Sequence, residues 1–203
     1  MRLNFLLLLT LMMLAVWIIQ PIRIILSQKG FTWKTILNFI ASACIIIGAV
    51  GFFGSIIVSS GDLGALQSLE WPIGNTDAAL RYPDGSIVVP HVPSGRVQVY
   101  DQSLKFVRGW SVSANGGLFT LLPAEKNTFY IFSARGHMKF HYDLNGNMLS
   151  SGNYSGSYPE NSSKLVSVSI PTPFYLRIFT HPLASWLVIA LGILLLFITG
   201  EAY

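Results

Sequence analysis

The sequence predicts a membrane protein of mixed class, with three transmembrane helices and an extramembrane all-β domain. Three observations carry that prediction. Long apolar runs lie near both ends of the chain. Only 11% of the residues are charged, against roughly 25% in a soluble domain. Between the runs, residues 61–172 form a polar stretch in which short strand-like segments recur.

The charge distribution supports this division. Residues 61–172 hold eight Lys/Arg and eight Asp/Glu, which cancel, and the formal +4 comes from Arg2, Arg23, Lys29, Lys34 and Arg177, less Glu201. These lie in or beside the apolar runs, so the basic balance reports membrane topology and gives no footing for nucleic acid. Cys44 is the single cysteine, which excludes an internal disulfide framework and a cysteine metal cluster.

The first span is expected at about residues 4–26, because a crossing needs about 20 apolar residues and Pro21 is tolerated near one end as a kink. A secretory signal peptide is the rival, disfavoured because no small-x-small cleavage site follows the apolar core. Residues 27–35 read as a short polar loop. The second span is expected at about 36–58. Its small residues Ala41, Cys44, Gly48, Gly51 and Ser55 recur every three or four positions, which makes one helical face suited to close approach by another helix. The third span is expected at about 183–199, preceded within residues 173–203 by an aromatic interfacial segment, 174–179, containing Arg177.

Arg23, Lys29 and Lys34 flank the loop between the first two spans, against Arg2 alone at the N-terminus. The positive-inside rule makes that loop cytoplasmic. The N-terminus and β-domain are then outside, the C-terminus is cytoplasmic, and a bacterial inner membrane with a periplasmic domain is the expected setting. Asn153 and Asn161 head short glycosylation sequons on the outer domain, patterns that recur by chance in Ser- and Asn-rich loops.

Within the β-domain the chain repeats at an offset of 42. Leu80 meets Leu122, Ile87 meets Phe129, Val89 meets Ile131, Asp101 meets Asp143 and Val107 meets Leu149. One strand departs: Val97 and Val99 alternate in the first copy, while Met138, Phe140 and Tyr142 match them at 41. A one-residue slip exchanges faces, so a bulge or unequal loop is expected between the copies. A period near 40 with four short strands is a propeller-blade pattern.

The residues that carry a family resemblance lie in the first copy: Gly85, Ile87, Val88 and Val89, then Arg96-Val97-Gln98-Val99-Tyr100-Asp101, then Phe106-Val107. This resembles an NHL-type propeller repeat, departing at Pro90-His91 and Ser94-Gly95. The second copy keeps Tyr142-Asp143 and Asn145-Gly146, and the resemblance covers residues 79–152. It implies two blade-like antiparallel sheets where a ring needs about 4–8. They must pack as a small sandwich, with residues 66–73 and 165–170 helping to close it, or remain an incomplete propeller covered by a partner. NHL-type repeats elsewhere serve protein or nucleic-acid contact, and the outside location argues against nucleic acid.

Catalytic motifs are missing: no P-loop, no Gly-x-Ser-x-Gly, no His-Glu-x-x-His. His137 and His141 share a strand face about 13 Å apart at the usual rise, too far for one ion. His181, at the membrane boundary, is a weak pigment or haem candidate beside the commoner interfacial role. Asp84, Asp101 and Asp143 fall where Asp stabilises turns. Arg81, Tyr82, Arg96, Tyr100, Arg108 and Trp110 are the candidate partner-binding surface, being of the types enriched at contact hot spots.

The sequence therefore points to a non-enzymatic accessory or structural subunit of a larger integral membrane complex. It needs no cofactor and contacts the bilayer and other membrane proteins. A membrane-tethered ligand-binding or sensing module is the alternative.

Overall fold

The computed structural model describes residues 5–27, 30, 32–60, 69–112, 114, 117–159 and 164–200. Asn161, residues 66–68, Arg2, Lys29 and Glu201 fall outside them. The chain forms two compact units, Met1–Ile57 with Ile178–Tyr203, and Val58–Arg177.

The first unit contains the helical segments. Helix α1 spans Phe5–Ser27 with Pro21 inside it; α2 spans Trp33–Ser60; α3 spans Pro182–Thr199. All three contain stretches long and apolar enough to cross a membrane. Two boundaries shift from the hydropathy estimate because caps, not apolarity, set them. Thr32 Oγ1 accepts the Thr35 N–H at 3.2 Å, and Thr35 Oγ1 in turn accepts the Thr32 N–H at 3.3 Å. This reciprocal cap starts α2 at Trp33, three residues before the expected 36. His181 caps α3, Pro182 takes its first turn, and Gly200, at φ 79°, closes it by donating its N–H to Leu196 and Phe197.

The β-domain consists of two antiparallel sheets, one of five strands and one of four. The first is a meander of β1 (Asn75–Arg81), β2 (Ile87–His91), β3 (Arg96–Tyr100) and β4 (Phe106–Ser111). Strand β9 (Val166–Ser169) joins the β1 edge. The second is a meander of β5 (Phe119–Pro123), β6 (Thr128–Ser133), β7 (Met138–Asp143) and β8 (Met148–Asn153).

The two meanders repeat one another at 42 throughout. The pair Leu80↔Val88 becomes Leu122↔Tyr130. Ile87↔Tyr100 becomes Phe129↔Tyr142, and Val89↔Gln98 becomes Ile131↔Phe140. The bulge between Val99 and Tyr100 reappears between His141 and Tyr142. Positive-φ positions coincide as well: Gly85 with Asn127, Gly95 with His137, Leu104 with Gly146. Asp101 Oδ1 accepts the N–H groups of Ser103 and Lys105, and Asp143 Oδ1 those of Asn145 and Asn147, all at 2.8–3.0 Å.

The expected slip between the copies is therefore incorrect. At 42, Arg96, Gln98 and Tyr100 correspond to Met138, Phe140 and Tyr142. The apolar alternation misled because β3 is buried on both faces, so its two polar residues occupy a core face.

Equivalent positions hold the same place in equivalent strands and so the same face of each meander, and the packing shows the consequence. Leu80, Val88, Val97, Val99, Trp110 and Val112 of the first meander share a core with Phe119, Leu121, Phe129, Ile131, Phe140 and Tyr142 of the second. The opposite face of the first meander, with Ala79, Ile87, Val89 and Tyr100, packs against Ile73, Val168 and Ile170. Shifted by 42, those four become Leu121, Phe129, Ile131 and Tyr142. The sheets thus stack in the same sense, one behind the other, and do not meet through like faces.

Candidate functional site

Three places collect the residues singled out from sequence. The first is a seam between α2 and α3. A Cβ on Gly48 would lie 2.6 Å from both Ile189 Cγ1 and the Ser185 carbonyl oxygen, and one on Gly192 would lie 2.6 Å from the Ala41 carbonyl oxygen. Gly51 meets Ser185 Oγ and the Phe179 ring in the same way. Ala41 packs with Ile45 and Leu196, Cys44 is half-buried, and buried Ser55 donates to the Phe52 carbonyl at 2.7 Å. The small-residue face is thus occupied by this chain's own third helix.

The second place is the outer face of the first meander. Gln98 accepts the Trp71 N–H and donates to the Trp71 carbonyl, both at 2.7 Å, as a β-strand backbone would. Arg96 donates to the Leu69 carbonyl at 3.0 Å. Glu70 hydrogen-bonds the Tyr100 hydroxyl. These three side chains of β3 hold residues 69–71 as a strap over the sheet. Burial lowers the Arg96 pKa, with Tyr100 acting in the opposite sense. Burial first, then the charge of Glu70, pushes the Tyr100 pKa well above the usual phenol range. Burial and Asp84 do the same for Tyr82, whose hydroxyl donates to the Thr128 carbonyl at 2.8 Å.

The expected surface of Arg81, Tyr82, Arg96, Tyr100, Arg108 and Trp110 is accordingly not one surface. Arg96 is 1% exposed, and Tyr82, Tyr100 and Trp110 are also buried. Only Arg81 and Arg108 are exposed, and Arg108 donates to Asn145 Oδ1 at 2.6 Å. Trp110 stands at the centre of the sheet–sheet core, 6.1 Å from the Phe129 ring and 5.8 Å from Tyr142. Aromatic and arginine residues mark contact, and here the contacts are internal.

The third place was not anticipated. The outer face of the second meander is the equivalent, at 42, of the face on which the meanders stack. Val88, Val97, Val99, Trp110 and Val112 become Tyr130, Lys139, His141, Gly152 and Tyr154. The Lys139 ammonium lies 3.8 Å from the Tyr130 ring centroid and 5.6 Å from that of Phe132. His141 stacks on Tyr130 at 4.5 Å and shares a 2.9 Å hydrogen bond with Thr128 Oγ1. Tyr154 lies against Phe132 and His137, each at 5.2 Å. Apolar stacking residues have given way to a self-contacting polar and aromatic layer, as at the terminal unit of a repeat array. Comparing the two copies position by position would have revealed it, provided the offset were held at 42.

The remaining histidines have local roles. His91 shares a 2.6 Å hydrogen bond with Ser94, and His181 Nδ1 accepts the Leu183 N–H at 3.1 Å as the α3 cap. That cap occupies one ring nitrogen of the weak haem candidate. Among the described residues, no group of three or more His, Cys, Asp or Glu is placed to hold a metal ion. Asp84 accepts the Ser86 N–H and, like Asp101 and Asp143, fixes a turn. For Asp143, desolvation alone would raise the pKa, but donors from Asn147 and Asn145 outweigh it and hold it low.

Fold and sites together define a class, an α-plus-β chain with three candidate membrane spans and a β-domain of two stacked, equivalent meanders. No family model matches the chain, and no curated protein matches it.

Proposed function

We propose that the chain is a non-catalytic accessory or structural subunit of a larger integral membrane complex. Its β-domain lies on the extracytoplasmic side of the membrane, with the C-terminus cytoplasmic, and braces neighbours through protein contacts. Its two meanders are read as NHL-type blades, on the strength of the motif around Arg96–Asp101 and the repeat at 42.

The carrying observation is on α1. Only 6% of its spanning window is buried, against 50% for α2. Its Gln20 is exposed, and only its apolar atoms line, with Val16, Trp17, Pro21, Ile45 and Leu196, a wholly apolar groove of about 220 Å³. A polar side chain on the least buried of the three helices suits hydrogen bonding to a neighbouring span.

The test is the mass and composition of the complex extracted from native membranes in mild detergent. Copurifying membrane proteins that are lost on Gln20→Leu support the reading. A particle containing this chain alone refutes it. The half-buried aromatics Tyr130, Phe132 and Tyr154 favour a second reading, a tethered ligand-binding module. That reading predicts small-molecule or glycan binding by the full chain that disappears in Tyr130→Ala.

A further inference from the structure

We infer that strand β8 is a homodimerisation edge, at which two copies of this chain pair antiparallel and join their second meanders into one continuous sheet. Among the described residues β8 pairs only with β7, and all six of its residues are exposed. An edge strand offers a row of unpaired N–H and C=O groups, and proteins usually blunt such edges with charge, proline or cover. Residues Met148–Asn153 read MLSSGN, with no charge and no proline. The bulge at its start leaves Ser150–Asn153 in regular pairing with β7.

The other edges differ. On β4, the counterpart of β8 in the first copy, Arg108 is tied to Asn145, and Gly109 and Trp110 are buried. On β5, Phe119, Thr120 and Leu121 are buried. On β9, Val168 is buried.

A second copy fits this edge better than an unrelated strand for two reasons. A neutral strand set against itself opposes no like charges. Antiparallel self-pairing also brings the bulky start of the strand, where Met148 and Leu149 are 56% and 52% exposed, against its light end at Gly152 and Asn153. The contact is isologous and closes at two copies, so it makes dimers and not fibres. Confinement of the chain to a membrane raises the effective concentration of one copy for another. The inference stands whether or not other subunits join the complex.

The single cysteine makes the test clean. In a Cys44→Ser background, cysteines are placed one at a time at positions 148–153 of the full chain, and native membranes are oxidised with copper phenanthroline before solubilisation. Paired strands bring opposed Cα atoms to about 4.5–5.5 Å, within disulfide reach. The expected product is a covalent dimer at twice the 22.4 kDa chain mass, peaking at one or two adjacent positions and falling away on both sides. Leu149→Lys in the best cross-linking variant should reduce the dimer at least tenfold while leaving thermal unfolding unchanged. No dimer at any position, equal dimer at all six, or cross-linking only to a different protein would each overturn the inference.

Discussion

The substitution Gly146→Ala tests the stacked arrangement directly. Gly146 turns β7 into β8 with φ 85°, and a Cβ there would lie 2.8, 3.0 and 3.2 Å from three atoms of the Trp110 indole. Carbon atoms rest at about 3.5–4.0 Å, so the ring or the turn must give by roughly half an ångström or more. Trp110 is buried and packs against both Phe129 and Tyr142, so the ring does not move freely. Overpacking of this kind costs about 1–3 kcal/mol. The left-handed backbone costs an alanine about 1 kcal/mol more. The positive φ alone does not demand glycine, since Leu104 holds φ 60° at the matching position; Trp110 does. Gly156, with φ 103° and nothing within 4 Å of its Cβ position, isolates the backbone contribution. Thermal unfolding of the full chain in detergent, followed by circular dichroism, should show Gly146→Ala losing about 8–15 °C and Gly156→Ala about 4 °C, at roughly 4 °C per kcal/mol. In a Trp110→Leu background the excess cost of Gly146→Ala should vanish. Equal losses for the two glycines, or strict additivity with Trp110→Leu, would refute the packing of this turn on Trp110.

Three further outcomes follow from the same structure. Gln98→Leu removes both side-chain hydrogen bonds to the Trp71 backbone, which should cost about 2–4 kcal/mol and make the 69–71 strap the first site cut in limited proteolysis. The double change Lys139→Val and His141→Val restores the stacking residues of the first copy to the outer face of the second. It should produce concentration-dependent association beyond the wild-type assembly, measured by light scattering, if that face is a cap. Tyr82 and Tyr100 have folded pKa values raised above the unfolded phenol value of about 10. Their contribution to stability is therefore complete below about pH 10 and is lost as pH rises further; their phenolate absorbance should appear only with unfolding, followed by circular dichroism in the same titration.

The spans, the polar middle and the repeat were legible in the sequence because each depends on local pattern. Apolar runs of membrane length need no tertiary partner to be recognised, and alternation bounded by turn residues marks strands wherever they pack. Asp101 and Asp143 likewise announce their turns, because an Asx turn is made within a few residues. Other features depended on what lay across the space between elements. Arg96 and Gln98 look like a solvated strand face, and the fold buries them beneath the strap at Leu69–Trp71, 27 residues away in sequence. Gly48 and Gly51 advertise close approach by a helix, and only the fold identifies that helix as the chain's own α3, more than 130 residues on. Periodicity states which side chains share a face. What covers that face is decided by long-range packing, which stacks the two meanders and lays the 69–71 strap over the outer face of the first.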